Sequence, residues 1–376
     1  MSTIAFTGDI AFTGDIAFSK YFSKSYEKPD LMDGEIVNFL QSADHVIANI
    51  EAPITAGDIQ STRSLNHVNA PEVVPVLLNL NARVWSLANN HVLDCKEQGL
   101  RDTLDIAAKN GVRTLGAGMN KEEASRIIEF PGGGGVGVFA VTYHRDFLKA
   151  GADKPGCVLD DDFETIREKI AEIKKNNRWC VLISHGGEEF AEIPLPYVRR
   201  RYLKYLEMGV DIIVGHHPHV VQNYEQVGNK IIFYSLGNFV FDTDYQRQQR
   251  YSHFGVLLKL HFNENGFRWE HLGTRVDREN NRVTVSQAPA NFTNIPPREY
   301  RRLWPLEAKN YFRADRKANV FTNPEKADFN EFQWLKHEIK YFGFWQTMEL
   351  RWGRARTWMG TWKKVRKDLL DYVLWP

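Results

Sequence analysis

What this 376-residue chain has little of narrows its nature first. Its three cysteines, Cys95, Cys157 and Cys180, are odd in number and lack the close spacing of a zinc knuckle or redox pair, so reduced thiols are expected rather than a disulfide framework. No stretch approaches the roughly 18 consecutive apolar residues of a membrane span. Met1 leads almost directly into strand-like sequence, without the charged and apolar regions of a signal peptide, and a cytoplasmic location is expected. Excess charge is missing too: 48 lysines and arginines face 47 acidic residues, which gives no reason to expect nucleic acid as a partner. There is no Gly-x-Ser-x-Gly, and no cysteine has an evident histidine partner, which disfavours serine and cysteine nucleophiles. The run Gly132–Gly135 lacks the Lys-Ser/Thr and helix that follow a phosphate loop and reads as a hairpin turn.

What is present begins with a tandem repeat. Ile4-Ala-Phe-Thr-Gly-Asp9 is followed at once by Ile10-Ala-Phe-Thr-Gly-Asp15, each copy a short strand stopped by Gly-Asp. The repeat leaves two candidates for one strand-end aspartate, and Asp15 is preferred because its sequence continues into a loop. From there to about residue 290, strand-length apolar runs alternate with helical patterns, as in α/β layers. Strands are expected at His45–Ile50, Arg83–Ala88, Val136–Val141, Cys180–Ser184, Asp211–Val214, Ile231–Ser235 and Gly255–Phe262. Helices are expected at Glu97–Asn110, Phe163–Asn176 and Pro196–Met208, with Gly111 and Gly209 as stop signals. Residues 291–376 change to aromatic and basic sequence holding six of the ten tryptophans beyond position 330, and are expected to be a helical extension. That extension either packs its aromatics on the main domain, residues 1–290, or docks on an anionic membrane surface or a partner.

Polar residues gather just after the strands, where open α/β sheets carry their binding groups on a rigid frame. In Gly215-His216-His217-Pro218-His219, Pro218 biases His217 toward an extended chain. The two-residue period of such a chain turns His217 and His219 to one side and His216 away. His185 ends another apolar run and is followed by Gly186-Gly187, which would let a ligand approach closely. Asn49-Ile50-Glu51 and Asn89-Asn90-His91 end two further strands. Carboxylates, an amide oxygen and several imidazoles at strand ends form the mixed ligand set of a metal-dependent hydrolase.

These stretches, taken with Glu188-Glu189, Asp94 and Tyr234-Ser-Leu-Gly-Asn238-Phe-Val-Phe241, resemble the successive motifs of the CapA, or poly-γ-glutamate capsule synthesis, family over residues 4 to 262. That family is related to calcineurin-like metallophosphoesterases. The resemblance implies a four-layer αββα sandwich of the metallophosphatase type and one or two divalent metal ions of the Mn, Zn, Fe or Mg kind. It implies Asp15, Glu51, Asn90, His185, His217 and His219 as metal ligands and His91 as general acid. Glu189 and Asn238 would line the pocket, with Asn49 and His216 as further substrate-side residues. The activity implied is hydrolysis in capsule or surface-polymer synthesis. A phosphoester is the first expectation, a γ-glutamyl amide the second, and a non-catalytic polymer-binding assembly factor the third. The partner would be an anionic polymer or phosphoester, with a membrane surface or capsule-assembly partner for the tail. Two departures from the pattern stand out. Ala17 replaces a histidine two residues after the aspartate, which would weaken one metal position, and Gly186 replaces a tryptophan, which would widen the pocket.

Overall fold

The computed structural model describes residues 2–10, 21–22, 24–56, 67–143, 145–263 and 265–307, the first of these segments as backbone. The chain divides into two compact units, Met1–Glu192 with Tyr202–Pro296, and Ile193–Arg201 with Pro297–Pro376. The first unit carries two sheets. One takes β1 (Ser2–Ile10), β2 (His45–Ile50), β3 (Val84–Ser86) and β4 (Arg113–Leu115) in parallel. Two short strands, β5 (Ala117–Gly118) and β8 (Gly156–Cys157), pair apart from it. The second sheet is built on β6 (Ile128–Phe130), β7 (Val136–Thr142), β9 (Trp179–His185), β10 (Ile212–His216), β11 (Tyr224–Val227) and β12 (Lys230–Phe233). The first sheet is completed by β13 (Asn238–Val240), parallel to β1, and by the antiparallel β14 (Phe254–Phe262), β15 (Phe267–Asp277) and β16 (Arg282–Ser286).

Side-chain alternation along the strands explains the layering. In β2, Ile47 joins β14 residues Val256, Leu258, Leu260 and Phe262 and second-sheet residues Val181, Ile183, Ile212 and Val214 in the core between the sheets. Val46, Ala48 and Ile50 point the other way, onto a core shared with Ile36, Leu77 and Leu100 of the covering helices. On the outer face of the second sheet lies the helix Phe163–Asn176. Asp162 caps it by accepting from Thr165 N at 3.2 Å, Glu164 and Lys174–Lys175 complement its dipole, and Ile166, Ile170 and Ile173 recur on its buried face. The order is therefore helix, sheet, sheet, helix, the αββα sandwich expected from the sequence.

Helix Lys96–Lys109 ends before Gly111, whose φ of +67° suits a residue without a Cβ. The glycine run Gly132–Gly135 joins β6 to antiparallel β7, as a hairpin should, and all four glycines take positive φ.

Candidate metal and acid–base site

The C-terminal ends of the parallel strands from both sheets meet at one edge of the sandwich. Glu51 follows β2 and is fully buried, Asn90 and His91 lie in the turn after β3, His185 is the last residue of β9, and His216 to His219 leave β10. Gly215 is required there, because a Cβ at this position would stand 2.0 Å from Tyr234 O.

Three oxygen and nitrogen atoms converge first. His185 Nε2 lies 2.9 Å from Asn90 Oδ1 and 3.3 Å from Glu51 Oε1. Glu51, His185 and His217 bring one ligand-type atom each within 4.8 Å of one another, and so do Glu189, His217 and His219. His216 belongs to neither group among the described residues. It is buried at the end of β10, in register with His185.

The convergence of His217 and His219 has a different cause from the one expected. Their φ angles are +95° and +57°, so the segment is a tight turn in the left-handed half of backbone space and not an extended chain with period two. Pro218 does not hold His217 in the β region here. Non-glycine residues at such angles are costly and persist where surroundings over-determine them, as they do at functional sites. The surroundings are visible: His217 packs on Tyr143 at 4.8 Å and His185 at 4.9 Å, and His219 stacks flat on Phe241 at 4.8 Å.

The orientation of His219 can be worked out from its partner. Asn238 Nδ2 donates to the Ser252 carbonyl at 2.7 Å and to Gln246 Oε1 at 3.1 Å, which leaves its Oδ1 to face His219 Nδ1 at 2.9 Å. An amide oxygen only accepts, so Nδ1 is the nitrogen that donates to it and Nε2 is the nitrogen turned to the site. Nε2 lies 3.6 Å from Glu51 Oε1. A metal-ligating histidine characteristically has its other ring nitrogen held by a hydrogen-bond acceptor, as Asn238 holds Nδ1 here. The donor set of carboxylates, amide oxygen and imidazoles suits a divalent ion of intermediate hardness.

His91 stands apart from that set. Its Nδ1 is 2.6 Å from Asp94 Oδ2, and its backbone N–H donates to Asn89 Oδ1 at 3.0 Å. Asn89 in turn donates to the Ile50 carbonyl at 2.8 Å, tying the turn to the end of β2 beside Glu51. Asp94 also accepts the backbone N–H of His67 at 2.9 Å, and the His67 ring sits edge-on to His91 at 4.4 Å. Burial first, then the neighbouring His91 and His219, holds His67 well below the ordinary imidazole range. A carboxylate on Nδ1 fixes the His91 tautomer and turns Nε2 outward.

The remaining sequence candidates fall as follows. Asn49 is buried within β2 and Asn238 is taken up by His219, Gln246 and Ser252. Glu189 is half-buried and groups with His217 and His219. Asp9 occupies β1 in register with Asn49 and Asn238, whereas Asp15 and Ala17 lie outside the described residues. Gly186 does not open a gap toward β7: a Cβ there would meet Tyr143 Cβ at 3.0 Å. Asp94 as partner of His91, His67, and Tyr143 were not assigned roles from sequence, because each acts through a contact that no local pattern encodes.

With this geometry in view, comparison with known proteins is decisive for kinship. The profile of the bacterial capsule synthesis protein family PGA_cap matches residues 3–243. The chain belongs to this family. It is 34% identical over 269 residues to the PGA biosynthesis protein CapA of Bacillus subtilis, covering 70% of this chain and 68% of that protein. It is 31% identical over 239 residues to the capsule biosynthesis protein CapA of Bacillus anthracis, covering 61% of this chain and 57% of that protein. Among solved structures, a hypothetical protein from Thermus thermophilus aligns with a TM-score of 0.43 at 14% identity, covering 72% of this chain and 99% of that one. A 5'-nucleotidase from Candida albicans aligns with a TM-score of 0.40 at 13% identity, over 72% of this chain and 50% of that one.

Proposed function

We propose that this family member is a divalent-metal-dependent hydrolase acting in the synthesis or trimming of a capsule polymer, as the names of its Bacillus relatives suggest. The observation that carries the reading is the convergence of ligand-type atoms of Glu51, His185 and His217, and of Glu189, His217 and His219, with Asn238 orienting His219 Nε2 toward the buried Glu51 carboxylate. Glu51, Asn90, His185, His217 and His219 would hold the ion, with Glu189 beside the last two and the β1 aspartate completing the set. A bound divalent ion would supply Lewis acidity and an activated water at neutral pH.

The chain's own residues would do the rest. Asn238 fixes which nitrogen of His219 is offered. Asp94 accepts from His91 Nδ1 and would support the imidazolium form, whose Nε2–H proton could pass to a leaving oxygen or nitrogen. The same arrangement serves a phosphoester or a γ-glutamyl amide, since both release a basic leaving group. The phosphoester is preferred on the likeness of the ligand set to two-metal hydrolases.

The test is metal analysis of the full chain followed by assay of manganese- and zinc-loaded protein on bis-p-nitrophenyl phosphate and on γ-glutamyl peptides. Bound metal with turnover of either substrate is expected. Stoichiometric metal with no turnover of either would favour the polymer-binding role, and a chain that takes up no metal would end the reading.

A further inference from the structure

At the other end of the sandwich from the metal and acid–base site, where the parallel strands begin, lies a cleft of about 430 Å³. Strand β9 runs between the two, from Trp179 at the cleft to His185 at the site, about 20 Å at the usual rise of a strand. The glycine run Gly132–Gly135, for which the chemistry at the far end has no use, seats one side of the cleft. Gly133 O accepts the indole N–H of Trp179 at 3.0 Å. Gly134, at a φ of +88°, leaves room for the stem of Arg178, whose Cβ would stand 3.0 Å from any Cβ placed there. The Arg178 guanidinium is thereby laid over the Trp179 ring, 5.1 Å from its centre. The β14–β15 hairpin supplies half-buried Phe267 and Trp269, which carry the core between the sheets out to the surface, and exposed Asn265 and Arg268. Gln226 and Asn229 of the β11–β12 hairpin complete the lining.

We propose that this cleft is a second, metal-independent binding site that takes an acidic sugar unit of the uronate kind within a saccharide chain. Among the described residues, neither Arg178 nor Arg268 is paired with a carboxylate, so the cleft carries positive charge that an anion would complement. A guanidinium lying over an aromatic ring uses its face for the ring and keeps in-plane N–H donors, whose fork matches a carboxylate. The side-chain amides of Asn229 and Asn265 and the indole N–H of Trp269 have no hydrogen-bond partner among the described residues, and they offer the mixed donors and acceptors that hydroxyl groups need. The aromatic rings decide between a sugar and a flat base. They meet edge-on, Trp179 to Phe267 at 84° and Trp269 to Phe233 at 83°, which leaves no parallel slot for a base and suits a ligand that lays the C–H face of one ring against an aromatic wall. The volume and the mixture of aromatic walls with a few polar groups are those of a small-ligand site. This inference stands apart from the hydrolase reading, since it needs neither metal nor turnover.

The experiment is isothermal titration calorimetry of tetragalacturonate into the full chain, with and without EDTA. Neutral galactotetraose and a γ-linked glutamate tetramer serve as comparison probes, the first lacking the carboxylates and the second lacking the sugar rings. Tetragalacturonate should bind with the same affinity in both buffers, and more tightly than either comparison probe. Arg178→Met should weaken it roughly tenfold, the scale of one charge-assisted contact, with the melting temperature of the parent kept. Arg178→Lys should recover only part of the loss. Trp269→Leu, which keeps an apolar side chain against Phe233, should weaken binding as well. No binding of tetragalacturonate by the parent, or equal affinity in parent and Arg178→Met, overturns the site. Affinity lost in EDTA moves the binding to the metal ligands and overturns it too. A glutamate tetramer bound as tightly and with the same dependence on Arg178 overturns the sugar assignment, and galactotetraose bound as tightly as tetragalacturonate overturns the acidic one.

Discussion

Asn90 and His91, neighbours in the turn after β3, meet different partners, and they show what that does to chemistry. Asn90 Oδ1 meets His185 Nε2, while His91 turns to Asp94. The proposed division, Asn90 as metal ligand and His91 as acid, was expected from sequence as a neighbouring pair of different chemistry. The contact of His91 with Asp94 was not readable as such, because an aspartate three residues on is common in turns for backbone reasons alone. We expect His91→Ala to keep its metal and lose on the order of 10²–10⁴ in rate on a substrate that releases an alkoxide. A p-nitrophenolate leaving group needs no proton, so bis-p-nitrophenyl phosphate should suffer much less. Atomic absorption and kinetics on the two substrates decide it: shed metal, or equal slowing of both, would make His91 a ligand or a positioning group. Asn238 teaches a related lesson. The family resemblance implied a place in the pocket wall, and its hydrogen bonds to Ser252, Gln246 and His219 add a part in orienting His219 that the sequence did not show.

Elements were legible where periodicity and punctuation agreed. The strand His45–Ile50 and the helices Phe163–Asn176 and Pro196–Met208 have the bounds their patterns suggested, the first of these helices being marked by Asp162 at one end and lysines at the other. The expected strand Arg83–Ala88 shortens to Val84–Ser86, since the chain leaves the sheet early to form the turn that carries Asn89 to His91. What periodicity could not encode is the turn at His217 to His219, whose positive φ angles are imposed by long-range packing against Tyr143, His185 and Phe241. The tandem repeat is a harder case. Its copies are identical over Ile-Ala-Phe-Thr-Gly-Asp, and six is an even number, so neither side-chain alternation nor local propensity tells them apart. Only pairing can, and β1 pairs through the first copy, with Ile4, Ala5 and Phe6 opposite His45, Val46 and Ile47, a register shift, and then Asp9 opposite Asn49. Asp15, preferred from sequence, lies outside the described residues, and the backbone register of β1 makes Asp9 the alternative that we propose. Asp9→Asn should then lower bound metal by metal analysis and Asp15→Asn should not; the reverse result would return the assignment to Asp15. Either copy is followed two residues later by alanine, so the missing histidine of the family pattern is missing in both readings.

At the scale of the whole molecule, the sandwich and its strand-end site were legible because the family's motifs run in order along the chain. The tryptophan-rich tail was not, since nothing in its composition says what its aromatic face packs on, and residues 308–376 lie outside the described residues. No helix among the described residues is long and apolar enough to cross a membrane. The sandwich does have one collective property: it desolvates several imidazoles, in part or wholly. His45, His67, His253 and His271 are all held below the ordinary imidazole range, each chiefly by burial, and His253 is lowered from 6.5 to about 4 with Arg278 and Arg275 adding to the effect. A histidine that binds its proton more weakly when folded makes the unfolded state the better proton acceptor over the interval between its two pKa values. Its contribution is therefore neutral above about 7 and turns against the fold as pH falls from about 6.5 toward 4. The low-lying carboxylates Asp162, Glu270 and Asp277 act in a separate window, keeping their stabilisation until pH drops below their ordinary values of 3.8 to 4.5. Urea unfolding of the metal-free chain should accordingly show a flat stability above pH 7 and a steady loss between 6.5 and 4, before the carboxylates titrate. His67→Phe combined with His253→Gln should flatten that slope, because the proton uptake that drives it is removed while aromatic packing against His91 and Phe241 is kept. A stability maximum near pH 5 in the parent, or an unchanged slope in the double variant, would show that these histidines do not govern its acid sensitivity.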